Sequence, residues 1–459
     1  MTPIVENLIT RLWNWKATPK RRKYDLGGLG LGTLVRDGQV TRERVSIPQN
    51  KRAEHIVIEG RTGMGKSFLM RHLIEQDVEA SRGFLLFEMH NDLAPYVLRL
   101  IAEQETRKGG DLSDRLIIVE PSDLLYSVGF NPLEFSERSD VFLQIAEFTE
   151  ILKQRWKLDT FGARTEELLR NALHVIAENH LTLIEIAPLL TSTTFRQGCL
   201  KSVRHPAVRE YFETRYDAQS EAMQAAMRDP ILNKVSAFTV DPKFRHLLGQ
   251  QASTFSLLEA MDQGFWVIVN LDKGKLGEHA ATLGALLLSR VKNALFARKS
   301  RTLYTIYADE IQNLTAIDSG IEAILAESRK FGVSICSSNQ FLDQFSPQMR
   351  AAIMSIGTHI CFQLSSGDAD KFAAAFDGGK RLAELLRNLP QRQVIVKSGD
   401  HPFVHAQVSA VRDPKTDFRD MANRARKRFA RLRSDIESEI TARKSRVAPE
   451  DREDLHDWE

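Results

Sequence analysis

The chain has 459 residues, 42% hydrophobic and 27% charged, with a formal net charge of +3. That composition fits a soluble globular protein of one large or two to three ordinary domains, and it excludes a disordered, collagen-like or disulfide-framed chain. No apolar run approaches the ~18–20 residues that cross a bilayer, and the three cysteines, Cys199, Cys336 and Cys361, make no metal-type spacing.

Met1 to Lys16 carries polar and acidic residues and lacks a small-residue cleavage site, so no secretory leader is expected and the expected location is cytoplasmic. Residues 11–24, RLWNWKATPKRRKY, hold six Lys/Arg, two Trp and no acid. Ile4, Leu8, Leu12 and Trp15 fall at helical spacing, which leaves three readings of 1–50: a solvated segment, a contact for an anionic polymer, or a peripheral contact with a membrane surface or partner. Residues 26–54 read as a Gly-rich, then polar, lead-in to the first core strand.

That strand, His55-Ile-Val-Ile58, runs into Glu59-Gly-Arg-Thr-Gly-Met-Gly-Lys-Ser67. Gly60, Gly65, Lys66 and Ser67 match GxxxxGK[ST], a phosphate-binding loop whose amides ring the phosphates while the lysine reaches the terminal groups and the hydroxyl holds Mg²⁺. The expected nucleotide-binding set is Gly60, Arg61, Thr62, Gly63, Met64, Gly65, Lys66, Ser67 and Phe68, with ATP and Mg²⁺ as cofactors.

Further strands are expected at Gly83–Glu88 and Arg115–Glu120. Alternation with helices predicts an α/β fold with a mostly parallel sheet, ligands lying beyond the strand C-termini. From 137 to 250 strand-like runs give way to 3–4 spacing, which predicts an all-α insertion between motor parts at 51–136 and 251–411. The run Phe265–Leu271 reads as a sheet-centre strand. Leu303–Ala308 ends in Asp309 and Glu310, a Walker-B-like pair: Asp309 suits the Mg²⁺ shell, and Glu310 suits polarisation of water. Gln340, ending the strand Val333–Asn339, is placed to sense a γ-phosphate. Arg329 is a candidate arginine finger, acting from a neighbouring subunit. Residues 412–459 read as a charged helical tail. Arg412 to Arg446 hold twelve basic and six acidic residues, and the last eleven residues carry a net −5. Solvation and an anionic-polymer contact are both open for this tail.

Taken in order, the phosphate loop, the acid-ended second strand, FNPLE at 130–134, VNLDKGKLG at 269–277, ADE at 308–310, SRKFGVS at 328–334 and NQ at 339–340 resemble the HerA/FtsK superfamily of DNA-pumping ATPases. TraG/TraD-type conjugative coupling proteins are the nearest likeness, over roughly residues 27–410. The resemblance implies a RecA-like P-loop core and a hexameric ring around DNA. It also implies a relaxase, nuclease or secretion-machine component as partner. It assigns phosphate and magnesium to Lys66 and Ser67, Walker B to Asp309 and Glu310, the sensor to Gln340 and the trans-acting arginine to Arg329. The segment Phe161–Glu166 matches a recurring piece of the helical insertion without an assigned role. Where the family reads DPHGDL, this chain reads Glu88-Met-His-Asn-Asp-Leu93. Glu88 keeps the carboxylate one methylene further out, a change that alters how water or magnesium is held and points to a weakened ATPase. An ATP-driven DNA translocase is the first expectation. A nucleotide-dependent recruitment adaptor is the alternative, and a small-molecule phosphotransferase is the least supported.

Overall fold

The computed structural model describes residues 28–135, 141–157, 162–312 and 321–447. The tryptophan-bearing basic segment at 11–24, the acidic final eleven residues and Phe161 lie outside them.

The frame is an 11-stranded sheet. In chain order its strands are β1 (Gly28–Arg36), β2 (Gln39–Pro48), β3 (Ile56–Glu59), β4 (Phe84–Glu88), β5 (Leu116–Val119), β7 (Trp266–Asn270), β8 (Tyr304–Ala308), β9 (Val333–Asn339), β10 (Thr358–Cys361), β11 (Gln393–Ser398) and β12 (Val404–Val408). The short β6 (Tyr126–Ser127) pairs separately with β13 (Arg431–Leu432). Across the sheet the order is β2-β1-β12-β11-β10-β3-β9-β8-β4-β7-β5. From β10 to β5 every pairing is parallel; from β11 to β2 every pairing is antiparallel. The parallel strands FLLFE, WVIVN and YTIYA are buried at every position, as strands covered on both faces must be.

Two expectations are corrected here. The lead-in at 26–54 is not outside the sheet: it builds the β1–β2 hairpin, whose turn is Asp37-Gly38 with φ of 49° and 75°. Asp-Gly between alternating apolar residues is a strong hairpin signal because both turn positions need positive φ. Gly32 lets β12 approach, since a Cβ there would lie 1.9 Å from the Gln407 carbonyl oxygen. The strand at 265–271 is not central either. β7 lies next to the edge strand β5, and it is buried because helices cover that edge as well.

Helices α1 (Lys66–Glu79) and α2 (Leu93–Lys108) pack on one face, where Leu69, Leu73, Val97 and Ile101 join Ile56 and Ile58. The opposite face carries a run of helices including α3 (Val141–Trp156), α4 (Ala163–Glu178), α5 (Glu221–Val240) and α6 (Pro242–Leu248). Their core is continuous with the sheet's: Ile151, Leu169 and Phe238 belong to the same apolar cluster as Val57, Leu85 and Val267. Two further helices, α7 (His279–Ala297) and α8 (Ile321–Glu327), flank β8 in the chain.

The C-terminal segment is packed rather than solvated. α9 (Arg419–Phe429) buries Met421, Ala422 and Ala425 in the α1–α2 core. α10 (Arg433–Val447) sets Ile436 and Ile440 against Ile184 of the helical run. Arginines of this segment meet acids of the same chain: Arg412 with Glu75 and Glu103, Arg424 with Glu105 and Asp111, Arg426 with Glu120 and Asp123, Arg443 with Glu185. Those four arginines therefore hold the fold together and are not free for an anionic polymer.

One buried ion pair locks α1 to the sheet. Arg52 donates to both Asp77 carboxylate oxygens at 2.8 and 2.6 Å, and the Tyr307 hydroxyl donates to Asp77 at 2.8 Å. Removing one partner of such a pair leaves an uncompensated buried charge. Asp77→Ala is accordingly expected to lower unfolding stability by about 3–5 kcal/mol, measured by urea denaturation. A loss below about 1 kcal/mol would show that the Arg52 charge finds water.

Candidate functional site

β3 stops at Glu59 and the chain folds back over its own end. Gly60 is required by proximity, since a Cβ there would sit 2.5 Å from that of Phe362, at the end of β10. Gly63 and Gly65 take φ of 79° and 116°, the region where glycine is unstrained. Neighbouring loops pin this turn. The Arg61 amide donates to the Gln363 carbonyl at 2.9 Å, the Arg392 amide to the Met64 carbonyl at 3.1 Å, and Gln391 Nε2 to the Gly63 carbonyl at 2.8 Å. The result aims the N-terminus of the 14-residue helix α1, with no side chain capping it, into a cavity of about 380 Å³. A helix N-terminus of this kind favours anions.

Lys66 is buried and its Nζ donates to the carbonyls of Gly60 at 2.7 Å and Arg61 at 3.2 Å. Burial draws its pKa down, with Asp309 and Glu310 acting in the opposite sense. Ser67 Oγ donates to Asp309 Oδ2 at 3.3 Å. The cavity is lined by Thr62, Gly63, Gly65, Lys66, Ser67 and Phe68 from the loop and α1, by Asp309 and Glu310 after β8, and by Gln340 after β9. Parallel pairing of β3 with β9 and of β9 with β8 brings these three strand ends side by side.

The two acids are held differently. Asp309 also accepts from the Ser338 hydroxyl, and burial raises its pKa, while Ser338 and Ser67 pull the other way. Glu310 sits at φ 51°, a left-handed position rare for a non-glycine residue. Its Oε1 accepts from Gln340 Nε2 at 2.9 Å, its Oε2 lies 2.9 Å from His90 Nε2, and its amide donates to Ser338 Oγ at 3.3 Å. Ser338 thus positions both acids at once.

Glu88 is not in this group. Its Oε1 accepts from the amides of Asp92 and Leu93, both at 2.5 Å, and its Oε2 from the Ala94 amide at 2.6 Å. The extra methylene lets the carboxylate reach the start of α2 and cap it, so both oxygens are occupied away from the cavity. Burial and then Asp92 push its carboxyl up to about 8 against the pull of the Leu93 and Ala94 amides. His90 and Asp92, the next residues along, line the cavity instead. Arg61 and Met64 shape the loop through their backbones. Phe68 lines the cavity and carries the Arg392 guanidinium 4.5 Å above its ring.

Arg329 lies at the other end of the sheet. It precedes β9, whereas Gln340 follows it, and seven strand residues separate the two ends by about 23 Å at ~3.3 Å per residue. Its guanidinium is 64% exposed and pairs with Glu54 at 3.3 Å. Beside it the buried His55 joins β9 to α8: Nδ1 accepts from the Ile335 amide at 3.0 Å, and Nε2 lies 3.0 Å from the Leu325 carbonyl. Burial draws the His55 pKa down to about 4, so this imidazole is neutral at ordinary pH.

Sequence reasoning did not find Ser338, His90 or Asp92. Ser338 sits two residues before Gln340, and His90 and Asp92 follow Glu88, so position relative to strand ends was the signal available.

The family model for the central domain of the helicase HerA matches residues 29–273, more than half of the chain. The chain belongs to the HerA family. Within this HerA-family chain the match takes in the phosphate loop and the helical run and ends before β8. Among solved structures, the plasmid coupling protein TrwB in complex with ADP and Mg²⁺ is 16% identical, with 87% of this chain and 93% of that one covered and a TM-score of 0.60. The same protein with a non-hydrolysable ATP analogue gives 16%, 88%, 98% and 0.60. VirB4 of Thermoanaerobacter pseudethanolicus gives 15%, 84%, 97% and 0.53. These likenesses show a shared RecA-like α/β fold. No curated protein matches the chain in sequence. No described helix is long and apolar enough to cross a membrane.

Proposed function

We propose that this HerA-family chain is an ATP-driven DNA translocase, built as a homohexameric ring and serving a conjugative or type IV secretion pathway. The observation that carries this reading is the convergence of Lys66, Ser67, Asp309, Glu310 and Gln340 on one cavity. The motor parts are the sheet-bearing segments 51–136 and 251–411, completed in the sheet by the β1–β2 hairpin at 28–48, with the helical segment 137–250 inserted between them.

The donor set fits Mg²⁺. No group of three or more His, Cys, Asp or Glu side chains among the described residues forms a metal-binding set. The Ser67 hydroxyl and Asp309 carboxylate, 3.3 Å apart, supply the one or two protein ligands this ion takes when phosphates and water complete its shell. Magnesium held there would neutralise charge on the β and γ phosphate oxygens. Lys66 would leave its two carbonyl partners for the terminal phosphates, while the loop amides and the α1 N-terminus bind the phosphates nearer the sugar. Glu310 is placed to orient and polarise the attacking water, and Gln340, bonded to Glu310, responds to the γ-phosphate. TrwB has been crystallised with ADP and Mg²⁺, which supports the same ligands here.

Steady-state ATP hydrolysis with and without single-stranded and duplex DNA tests the proposal. A several-fold stimulation, lost as salt is raised, is expected. A rate indifferent to every form of DNA rules out translocation and leaves a nucleotide-dependent recruitment adaptor.

A further inference from the structure

A second, larger cavity of about 760 Å³ opens between the helical run and the segment that leads from β7 into α7. Its wall includes Arg155 at the C-terminal end of α3, Lys234 on α5, Lys273 after β7, and Glu278 and His279 at the start of α7. Three of these side chains are cations, set on three separate elements, and Glu278 is the single acid among the described residues lining it.

Arg412, Arg424, Arg426 and Arg443 of the C-terminal segment are each met by carboxylates. Burial draws the Arg155 pKa down, and its Nε and Nη2 have no hydrogen-bond partner among the described residues. Buried charges are ordinarily paired, because an unpaired one is costly. A guanidinium with two donors unfilled among the described residues, lining one cavity with two lysines, suits an anion, and the unfilled first turn of the 19-residue helix α7, whose N-cap side chain makes no capping bond, adds to the same field.

The cavity is also tied to the Lys66 site. The Lys273 amide donates to the Met89 carbonyl at 3.0 Å, and the Leu271 amide to the Glu88 carbonyl at 2.8 Å. Met89 adjoins His90, which sits on Glu310. A ligand held by Lys273 thus bears on the loop that brackets Glu310. A loose surface ion would have no such connection, whereas the load moved by a motor requires one.

We propose that this cavity binds phosphodiester groups of the polynucleotide, so that Arg155, Lys234 and Lys273 contact the backbone and report its presence to the hydrolytic site. The proposal rests on the translocase reading and adds the contact surface. A positively charged groove that follows the backbone is how sequence-tolerant polynucleotide binding is generally achieved.

The test is the salt dependence of binding of a fluorescein-labelled oligodeoxynucleotide, by anisotropy, for the full chain and for Lys234→Gln and Arg155→Gln. Lys234 is exposed, so its replacement leaves folding intact, and Mg-ATP binding checks both variants. Each variant is expected to weaken binding and to reduce the slope of log K against log salt by about 0.7–0.9, the value of one lost phosphate contact. DNA stimulation of hydrolysis is expected to fall in parallel. An unchanged slope and affinity in both variants, with normal binding by the parent, overturns the cavity assignment and leaves the translocase reading standing. Absence of oligonucleotide binding by the parent overturns both. Inorganic tripolyphosphate, added at saturating ATP so that the Lys66 site is filled, separates the sources. Variant-sensitive binding of tripolyphosphate without any binding of oligonucleotide would mark a site for free phosphates and overturn the polynucleotide assignment.

Discussion

Glu310→Gln is expected to bind nucleotide with near-parent affinity while hydrolysing it about 10²–10⁴-fold more slowly, the range for loss of a positioned general base. The expectation follows from how the two acids divide the site. Asp309 is bound to Ser67 and Ser338 and faces the position proposed for the metal, and none of those contacts passes through the Glu310 side chain. Glu310 is bracketed by Gln340 and His90 at 2.9 Å each. An amide of the same shape keeps the packing but cannot accept the water proton. Fluorescent-nucleotide binding and single-turnover hydrolysis separate the two effects. If binding is lost together with hydrolysis, the metal position involves Glu310 and the roles of the acids are exchanged. If hydrolysis persists, the base is elsewhere, and Asp92 on the same wall becomes the residue to replace.

That division of labour is only partly legible in the amino-acid sequence. The phosphate loop, Asp309, Glu310 and Gln340 can be read because each sits at the end of an apolar strand with a fixed chemical signature. The parallel half of the sheet is equally readable, since its strands are continuous apolar runs. Residues whose role depends on the third dimension are not readable in this way. Ser338 looks like one of several serines in SICSSNQ, yet it alone bridges the Asp309 carboxylate and the Glu310 amide. Glu88 reads as a site carboxylate by its place in the chain. The length of its side chain decides otherwise, because the carboxylate reaches the α2 amides before it reaches the cavity. The β1–β2 hairpin is hidden for a different reason: glycines at Gly28, Gly30 and Gly32 dilute the strand signal, although Gly28 and Gly32 let the neighbouring strands approach. In the C-terminal segment, counting charges shows a basic excess but not that the acids meeting it lie some three hundred residues away, as with Arg412 and Glu103.

Arg329 is the second large effect. Arg329→Ala is expected to lower hydrolysis by about 10³–10⁵-fold and to act across a subunit boundary. Among the described residues lining the Lys66 cavity, Lys66 is the sole permanent cation, while charge on a transferring phosphoryl group ordinarily meets a second one. Arg329 cannot be that cation within its own chain, because it lies at the N-terminal end of β9 and the cavity lies at the C-terminal end. The 64% exposed guanidinium, paired with Glu54 at 3.3 Å, is available to enter an interface with a neighbouring chain. Mixing Arg329→Ala chains with Lys66→Ala chains tests this. Each is expected to be inactive alone, whereas mixed rings contain interfaces in which an intact Lys66 faces an intact Arg329, and a fraction of the hydrolysis returns. If mixtures that demonstrably co-assemble stay inactive, the arginine does not act in trans. The second cation must then come from within the chain, where Arg392, stacked on Phe68 at the cavity wall, is the group positioned to supply it.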